Sequence, residues 1–587
     1  MSVLSAGANS VQEIVTHAVI GDWDIPELQR GFVWNPTDVA KLAESLYRDY
    51  PVGSFLLWEA PEYAQPRTDH GNQASTWIID GQQRTTAMCL LFGKMPHYWD
   101  ERHQPQWREM LKRYDVMIKI APKDDEEPEF AIANPVRRRD PGWISVREVL
   151  SLRSTEELGK LASELAQQLL PETSEPTEIM QLYTRLHERL TELYHVRLRQ
   201  IPVVRVDNEP EDVAEIFARI NQEGTRVKEA DVILALVSVH NPGWVRDEYT
   251  PFQSDLAERG WDLDAGVFVR TIVGIGAGRG RLRDVPTEFY KPETFMPAWQ
   301  EAKRAIVGTL HRLGERGVLH SELLPSTNSL IPLFVLQAIR GKAPDYNFNK
   351  ALHWLLLANR DGRYSGASVT ALDQDIRAIH EAPSFEEALQ RLYARLSTPE
   401  QIDAAEFLER FDRKGNRFQR TVLYLLLFHN GARDWVDGAR IGYDKGTNAL
   451  AEGFRPQYHH IFPRSVLKKL GRSDADISAL ANITVLTEES NCRRLQNKPP
   501  AQYLQEYVFV GEEGTSEEEN RDKKSELLRQ HAIPDEFVEA AAEPEKCSEV
   551  WDVSNYDEFI RARAELLARE ANRLLEILRL GRVPEGR

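Results

Sequence analysis

The chain has 587 residues, too many for one hydrophobic core and enough for about three domains. With 42% hydrophobic and 28% charged residues it reads as an ordinary soluble globular protein, and it lacks the run of about twenty apolar residues that a membrane span needs. The formal net charge of −18 excludes a general affinity for polyanions, so any nucleic-acid contact has to come from local basic stretches: Arg137-Arg138-Arg139, Arg279 to Arg283, and the surroundings of residues 459 and 460. Cys89, Cys492 and Cys547 are far apart and form no CxxC pair, which argues against a cysteine-rich zinc ribbon. With an N-terminus that has neither the basic start nor the apolar stretch of a secretory signal, they point to the cytoplasm.

Residues 20 to 120 have the pattern of a compact α/β unit. Ile25 to Trp34 is strand-like, and Asn35-Pro36 offers a helix start. Val39, Leu42, Ala43, Leu46 and Tyr47 then recur at helical spacing over 37–49. Strands are expected at 54–58, 76–79 and 114–120, with a helix at 85–92. Between the second strand and that helix lies Asp80-Gly81-Gln82-Gln83-Arg84. A strand, a tight Asp-Gly turn and a helix bring backbone N–H groups and a helix N-terminus to one point, where an anion is favoured. Gly81 lets the backbone approach a phosphate closely, Arg84 can fork onto its oxygens, and Asp80 can hold Mg²⁺ or orient water. From these residues alone, a plain turn with a surface arginine is an equal reading.

Residues 150 to 200 are helical and charged, broken by a loop at 171–177. A strand is expected next at 201–206, then helices at 211–220 and 228–239. From about 240 to 430 amphipathic helix dominates, at 330–339, 351–358, 385–396 and 418–428. The Gly-rich stretch 274–281 lacks the lysine and the strand of a phosphate loop. It reads first as a flexible linker, and second as a DNA-backbone contact.

The character changes near 455. Tyr458-His459-His460-Ile461-Phe462-Pro463 precedes Asn482 and Asn491, a layout that fits a β-hairpin and a helix. Neighbouring strand residues point to opposite sides, which suits a division of labour between two histidines. A neutral imidazole is a suitable base near pH 7, and phosphodiester hydrolysis needs an activated water and a cation on the phosphate. Arg493, Arg494 and Lys498 add local positive charge suited to DNA. A tail helix over 558–580 carries Ile560, Ala564, Leu567, Ala571, Leu574 and Leu578 on one stripe, for packing on the domain or on a partner chain.

These motifs carry two resemblances. The IPELQRGFVW segment, a helix, GSFLLWE, WIIDGQQRTT and the later FARINQEGT resemble, in order and spacing over about 20–240, the N-terminal ParB-like domain of the GmrSD restriction enzymes. That resemblance implies binding and hydrolysis of a nucleoside triphosphate (ATP, GTP, UTP or CTP) by Asp80, Gly81, Gln82, Gln83 and Arg84, with Gln29, Arg30, Asn221 and Thr225 as neighbours. No Walker-type loop is present to hold it. The 458–491 segment is similar to the HNH nucleases. That similarity implies His460 as general base, His459 and Asn491 as ligands of Mg²⁺ or Mn²⁺, and Asn482 as the residue that fixes the loop. The connection from His460 to Asn482 is longer than in many HNH sites.

Together the resemblances imply an α+β, multidomain protein. It would have a ParB-like α/β domain at 1–240, a mainly helical region at 241–430, and a ββα-metal (HNH) nuclease domain with a helical tail at 431–587. The function implied is a modification-dependent endonuclease of phage defence, acting on double-stranded DNA with modified cytosine; a homodimer is compatible with it. Phosphorothioate-sensing nicking, a non-cleaving nucleotide-switched DNA binder and an RNase or toxin are the rival readings.

Overall fold

The computed structural model describes residues 5–25, 31–59, 76–101, 104–120, 128–171, 173–207, 229–365, 368–495, 497–511 and 516–584. The chain forms two compact units, Met1–Thr250 and Pro251–Arg587. The first is built on a mixed sheet with helices, and the second is mostly helical.

In the first unit β1 (Ser5–Ser10), β2 (Trp23–Asp24), β3 (Phe55–Glu59), β4 (Thr76–Asp80) and β8 (Gln200–Val206) make a sheet in the order β1-β8-β3-β4-β2. β3 runs parallel to β8 and antiparallel to β4, with a bulge at Leu56/Leu57. Both faces are apolar, which explains the unbroken hydrophobic runs of β3 and β4. Phe55, Leu57, Ile78, Ile201 and Val203 face the main core with the helices, whereas Leu56, Trp58, Trp77, Ile79 and Val206 form a second cluster. Helix α1 (Val11–Ile20) starts at Ser10 with a capping box. Helix α2 (Pro36–Tyr47) starts at Asn35 with another, as the Asn-Pro pair leads one to expect. Helix α3 (Gln82–Phe92) is buried on nearly all sides from Thr85 to Phe92. β5 (Val116–Lys119) pairs with β6 (Phe130–Ile132) and β7 (Trp143–Ser145) in a second, three-stranded sheet.

The strand expected over 25–34 is not found among the described residues, and β2 (Trp23–Asp24) ends just before it. Residues 26–30 are outside the described set, and 31–35 form no strand, because Gly31 and Val33 are held by a side chain instead of a ladder. The helix expected at 211–220 also lies outside the described residues.

In the second unit the helix Ala265–Ala277 packs against Pro292–Glu315 and Leu330–Arg340. This overturns the linker expected at 274–281. Gly274 and Gly276 are inside that helix, where a Cβ would come within 2.8 Å of Val335 and 2.6 Å of Phe289. The glycines are there because neighbouring side chains approach the helix axis. β9 (Gln457–His460) and β10 (Ile483–Leu486) pair antiparallel, and their core includes Trp435, Ile461, Phe462, Tyr503, Trp551 and Phe559. Of the expected hairpin-and-helix frame only the strand pair is present, and a ββα motif is not evident among the described residues. The connection 461–482 carries two short helices, Arg464–Lys469 and Asp474–Ile477, and β10 leads into the wide π-type turn Ser490–Leu495. The tail helix Tyr556–Arg579 packs its apolar stripe on Ala404–Leu408 and Phe348–Arg360.

Candidate functional site

Two places carry the chemistry that the sequence singles out. In the first unit β4 ends at Asp80, Gly81 turns the chain with φ 111°, and α3 begins at Gln82 without a side-chain cap. A Cβ on Gly81 would lie 2.4 Å from the Phe55 ring, so glycine is needed here for the backbone angle and for space. Arg84 donates to Asp80 at 2.7 Å and to the Val52 carbonyl at 2.8 Å, and its guanidinium lies 4.9 Å above the Phe55 ring. Gln83 receives the Val33 N–H at 2.9 Å and donates to the Gly31 carbonyl at 3.1 Å. The motif therefore has an internal use. Gln83 clamps the segment before α2, and Arg84 holds the chain before β3. A phosphate at this turn would compete with Asp80 for Arg84. Gln82 is buried, and Gln29, Arg30, Asn221 and Thr225 lie outside the described residues.

In the second unit the strand alternation sends the two histidines opposite ways. His459, opposite Thr484, is 2% exposed and packs edge-on against Trp435 and Tyr503. Burial lowers its pKa to about 4, so the ring is neutral. The Asn491 amide donates to the Tyr458 carbonyl at 3.2 Å, which turns its oxygen towards His459 Nδ1 at 2.8 Å. Nδ1 is therefore the protonated nitrogen. Nε2 carries a lone pair and is buried without a hydrogen-bond partner among the described residues.

His460, opposite Ile483, is half-buried and stands 5.6 Å from the Phe411 ring. Its pKa is also lowered, first by burial and then by Arg464, with Asp412 opposing. Its Nε2 likewise has no partner among the described residues. Asn482 is fully buried and spans the loop that leaves His460. It accepts the Phe462 N–H at 2.9 Å and donates to the carbonyls of Phe462 at 3.0 Å and Ile477 at 2.9 Å. The structure thus brings His459, His460, Asn482 and Asn491 to one strand pair. Arg493 and Arg494 are exposed on the turn after β10, whereas Lys498 is engaged by Glu506 at 2.8 Å and lies over the Tyr507 ring.

Two residues that the sequence did not single out hold this arrangement. Asp434, fully buried, accepts from Val436 N, Asp437 N, Ser490 Oγ and Thr487 N, and so anchors the turn that carries Asn491. These bonds keep its carboxyl below the usual range against the opposing effect of burial. Its only sequence signal is the Asp-x-x-Asp-Gly turn at 434–438. Arg563 is also fully buried. It donates to the carbonyls of Ala481 and Ile483 on either side of Asn482, and to those of His531 and Ala532. Burial lowers its pKa to about 9, so it stays cationic at neutral pH. The signal for it is an arginine beside the apolar stripe of the tail helix. His531 completes the frame by bonding Thr484 at 2.6 Å and the Arg433 carbonyl at 2.8 Å.

Among the described residues no group of three or more His, Cys, Asp or Glu side chains is placed to hold a metal ion. His459 and Asn491 offer two neutral donors. No described helix is long and apolar enough to cross a membrane.

Known proteins resemble the two units to different degrees. An uncharacterized protein of Methanocaldococcus jannaschii is 20% identical over 617 residues, with 98% of this chain and 100% of that protein covered, so the likeness runs through both units. The family model described as "GmrSD restriction endonuclease, N-terminal domain" matches residues 11–238, a span that includes β4, the Gly81 turn and α3. Residues 11–238 are therefore similar to the N-terminal domain of GmrSD restriction endonucleases.

Proposed function

We propose that this chain is a modification-dependent DNA endonuclease that binds and hydrolyses a nucleoside triphosphate in its first unit and cuts DNA with an HNH-type site in its second. The likeness of residues 11–238 to the GmrSD domain supports a place in a modification-dependent restriction system. The observation that carries the nuclease reading is the pair of adjacent histidines facing opposite ways, with Asn482 fixing the backbone behind His460 and Asn491 holding His459.

In this reading the lone pair of neutral His460 takes a proton from a water molecule as the water oxygen bonds to phosphorus and the phosphorus–oxygen bond to the leaving strand breaks. Asn482 keeps the imidazole in place through Phe462. To hold Mg²⁺ or Mn²⁺, His459 and Asn491 would have to exchange the Nδ1–H to Oδ1 bond between them for the ion. When bound, the ion would neutralise charge on the phosphate, with DNA oxygens making up for the missing carboxylate. At the Gly81 turn, a nucleotide phosphate would draw Arg84 away from Asp80 and meet the N-terminus of α3.

The test is digestion of matched phage DNAs, unmodified, with hydroxymethylated or glucosylated cytosine, or with phosphorothioate, in Mg²⁺ or Mn²⁺ with and without nucleotide. Cutting confined to cytosine-modified DNA and reduced at least about a hundredfold in His460→Ala, with nucleotide hydrolysis retained, is the expected result. An uncut set of DNAs would overturn the nuclease reading, and equal cutting of all of them would remove the modification sensor.

A further inference from the structure

The arginines just beyond the helix Ala265–Ala277 belong to neither site. Gly278, at φ 65°, ends the helix, and the loop after it is fixed from beneath. Asp373 accepts the N–H groups of Gly280 at 2.8 Å and Arg281 at 3.2 Å, and Arg270 donates to the Gly280 carbonyl at 3.0 Å. Gly280 is pressed so close to Asp373 that a Cβ would lie 2.5 Å from its backbone nitrogen. The loop amides at 280 and 281 are therefore taken, and the cationic side chains are what the loop presents.

Arg279, Arg377 and His380 line an open groove of about 330 Å³ with Gly276, Gly278 and Glu381. No ion pair or hydrogen bond engages the Arg279 guanidinium among the described residues. Arg377 binds Asp373 at 2.8 Å while its Nε has no partner among the described residues. Arg281 leans on the Thr370 hydroxyl at 3.0 Å, and Arg283 is 74% exposed, 3.8 Å from Asp284. His380 Nε2 is bonded to the Gly274 carbonyl, which leaves its ring fixed at the groove wall. Of the nearby acids, Asp373 is spent on the loop and on Arg377, which leaves Asp284 and Glu381 against the arginines. A local excess of fixed positive charge thus stands on a chain of net charge −18.

We propose that the 279–283 loop, with Arg377 across the groove from Arg279, docks the phosphodiester backbone of duplex DNA. This rests on the nuclease reading for its substrate and adds to it a place where the duplex is held. Guanidinium forks suit phosphate oxygens, and phosphate contacts position a duplex without reading its sequence. The arginines are strung along a loop and not gathered round one point, and the loop amides that could enclose a single phosphate are bonded to Asp373. Both features favour a strand of phosphates over a free phosphate or a nucleotide.

The experiment is fluorescence anisotropy of the full-length His460→Ala protein with a labelled duplex, without divalent metal, over a range of salt concentrations. The triple variant Arg279→Ala, Arg281→Ala, Arg283→Ala in that background should lose at least about tenfold in affinity, and the slope of log affinity against log salt should fall by about 2 to 3. Arg279→Lys, which keeps the charge, should retain most of the binding. Excess inorganic phosphate or ATP should compete weakly compared with unlabelled duplex. Unchanged affinity and slope in the triple variant would overturn the groove and leave the nuclease reading standing. Competition by phosphate or ATP as strong as by duplex would overturn DNA as its ligand. Absence of duplex binding by the parent protein would overturn both.

Discussion

The Gly81 turn and the histidine strand pair are built in opposite ways. At the turn, the charged residues are paired with each other and partly open to solvent, and Gln83 and Arg84 use their polar atoms to hold neighbouring chain. A ligand can enter there by exchanging one partner for another. At the strand pair, the polar groups are buried, the imidazoles are held neutral, and the bonds that fix them come from distant segments: Asp434 before the pair, Arg563 in the tail helix, His531 between them. One place is adaptable and locally built. The other is preorganised and depends on the packing of the whole second unit. The same type of motif, a few polar residues on a tight turn, thus tolerates perturbation differently according to where its supports come from.

Removing a distant support should separate the two most. Arg563→Leu leaves four buried carbonyls without their donor, which should cost about 3–5 kcal/mol in the second unit and abolish cleavage. Hydrogen exchange, peptide by peptide, should show the loss confined to residues after 250, with nucleotide hydrolysis intact. Equal loosening of β4 and α3 would break the contrast.

Acid is a milder way to make the same cut. His353 and His531 are buried with pKa values near 4, lowered chiefly by burial. Between the ordinary histidine value and about 4, the unfolded chain binds protons that the folded chain refuses. Stability from these groups is therefore full above about pH 6.5 and falls as the pH drops towards 4, by up to about 1.4 kcal/mol per pH unit for each histidine. Denaturant titrations from pH 7 to 5 should show the second unit weakening, and a flat profile would mean that these rings are charged in the fold.

The smallest of these effects is local. Gly81→Ala meets a φ of 111° and the Phe55 ring, and should cost about 1–3 kcal/mol in the first unit while nucleotide hydrolysis falls. Retained hydrolysis with unchanged stability would show that the turn relaxes freely. The strand pair should keep its exchange protection in this variant.

Where the determinants are neighbours in sequence, they were legible. Asn35-Pro36 caps α2, the apolar runs at 55–58 and 76–79 are strands, and Asp80-Gly81 turns into α3, because capping, alternation and glycine's backbone freedom act over a few residues. The opposite facing of His459 and His460 comes equally from strand geometry. Features set by residues far apart were hidden. Glycines at 274 and 276 look like a linker until Val335 and Phe289 are seen against them. Ile25 to Trp34 looks like a strand, yet Gln83 takes the backbone groups of Gly31 and Val33. An arginine beside an apolar helix stripe looks like surface until four carbonyls from other segments converge on it. By itself the sequence determined the local turns, the strand and helix types and the order of the chemical groups. Only the tertiary structure decided which of those groups are buried, partnered or exposed, because burial and hydrogen bonding are settled by segments that the chain brings together from hundreds of residues apart.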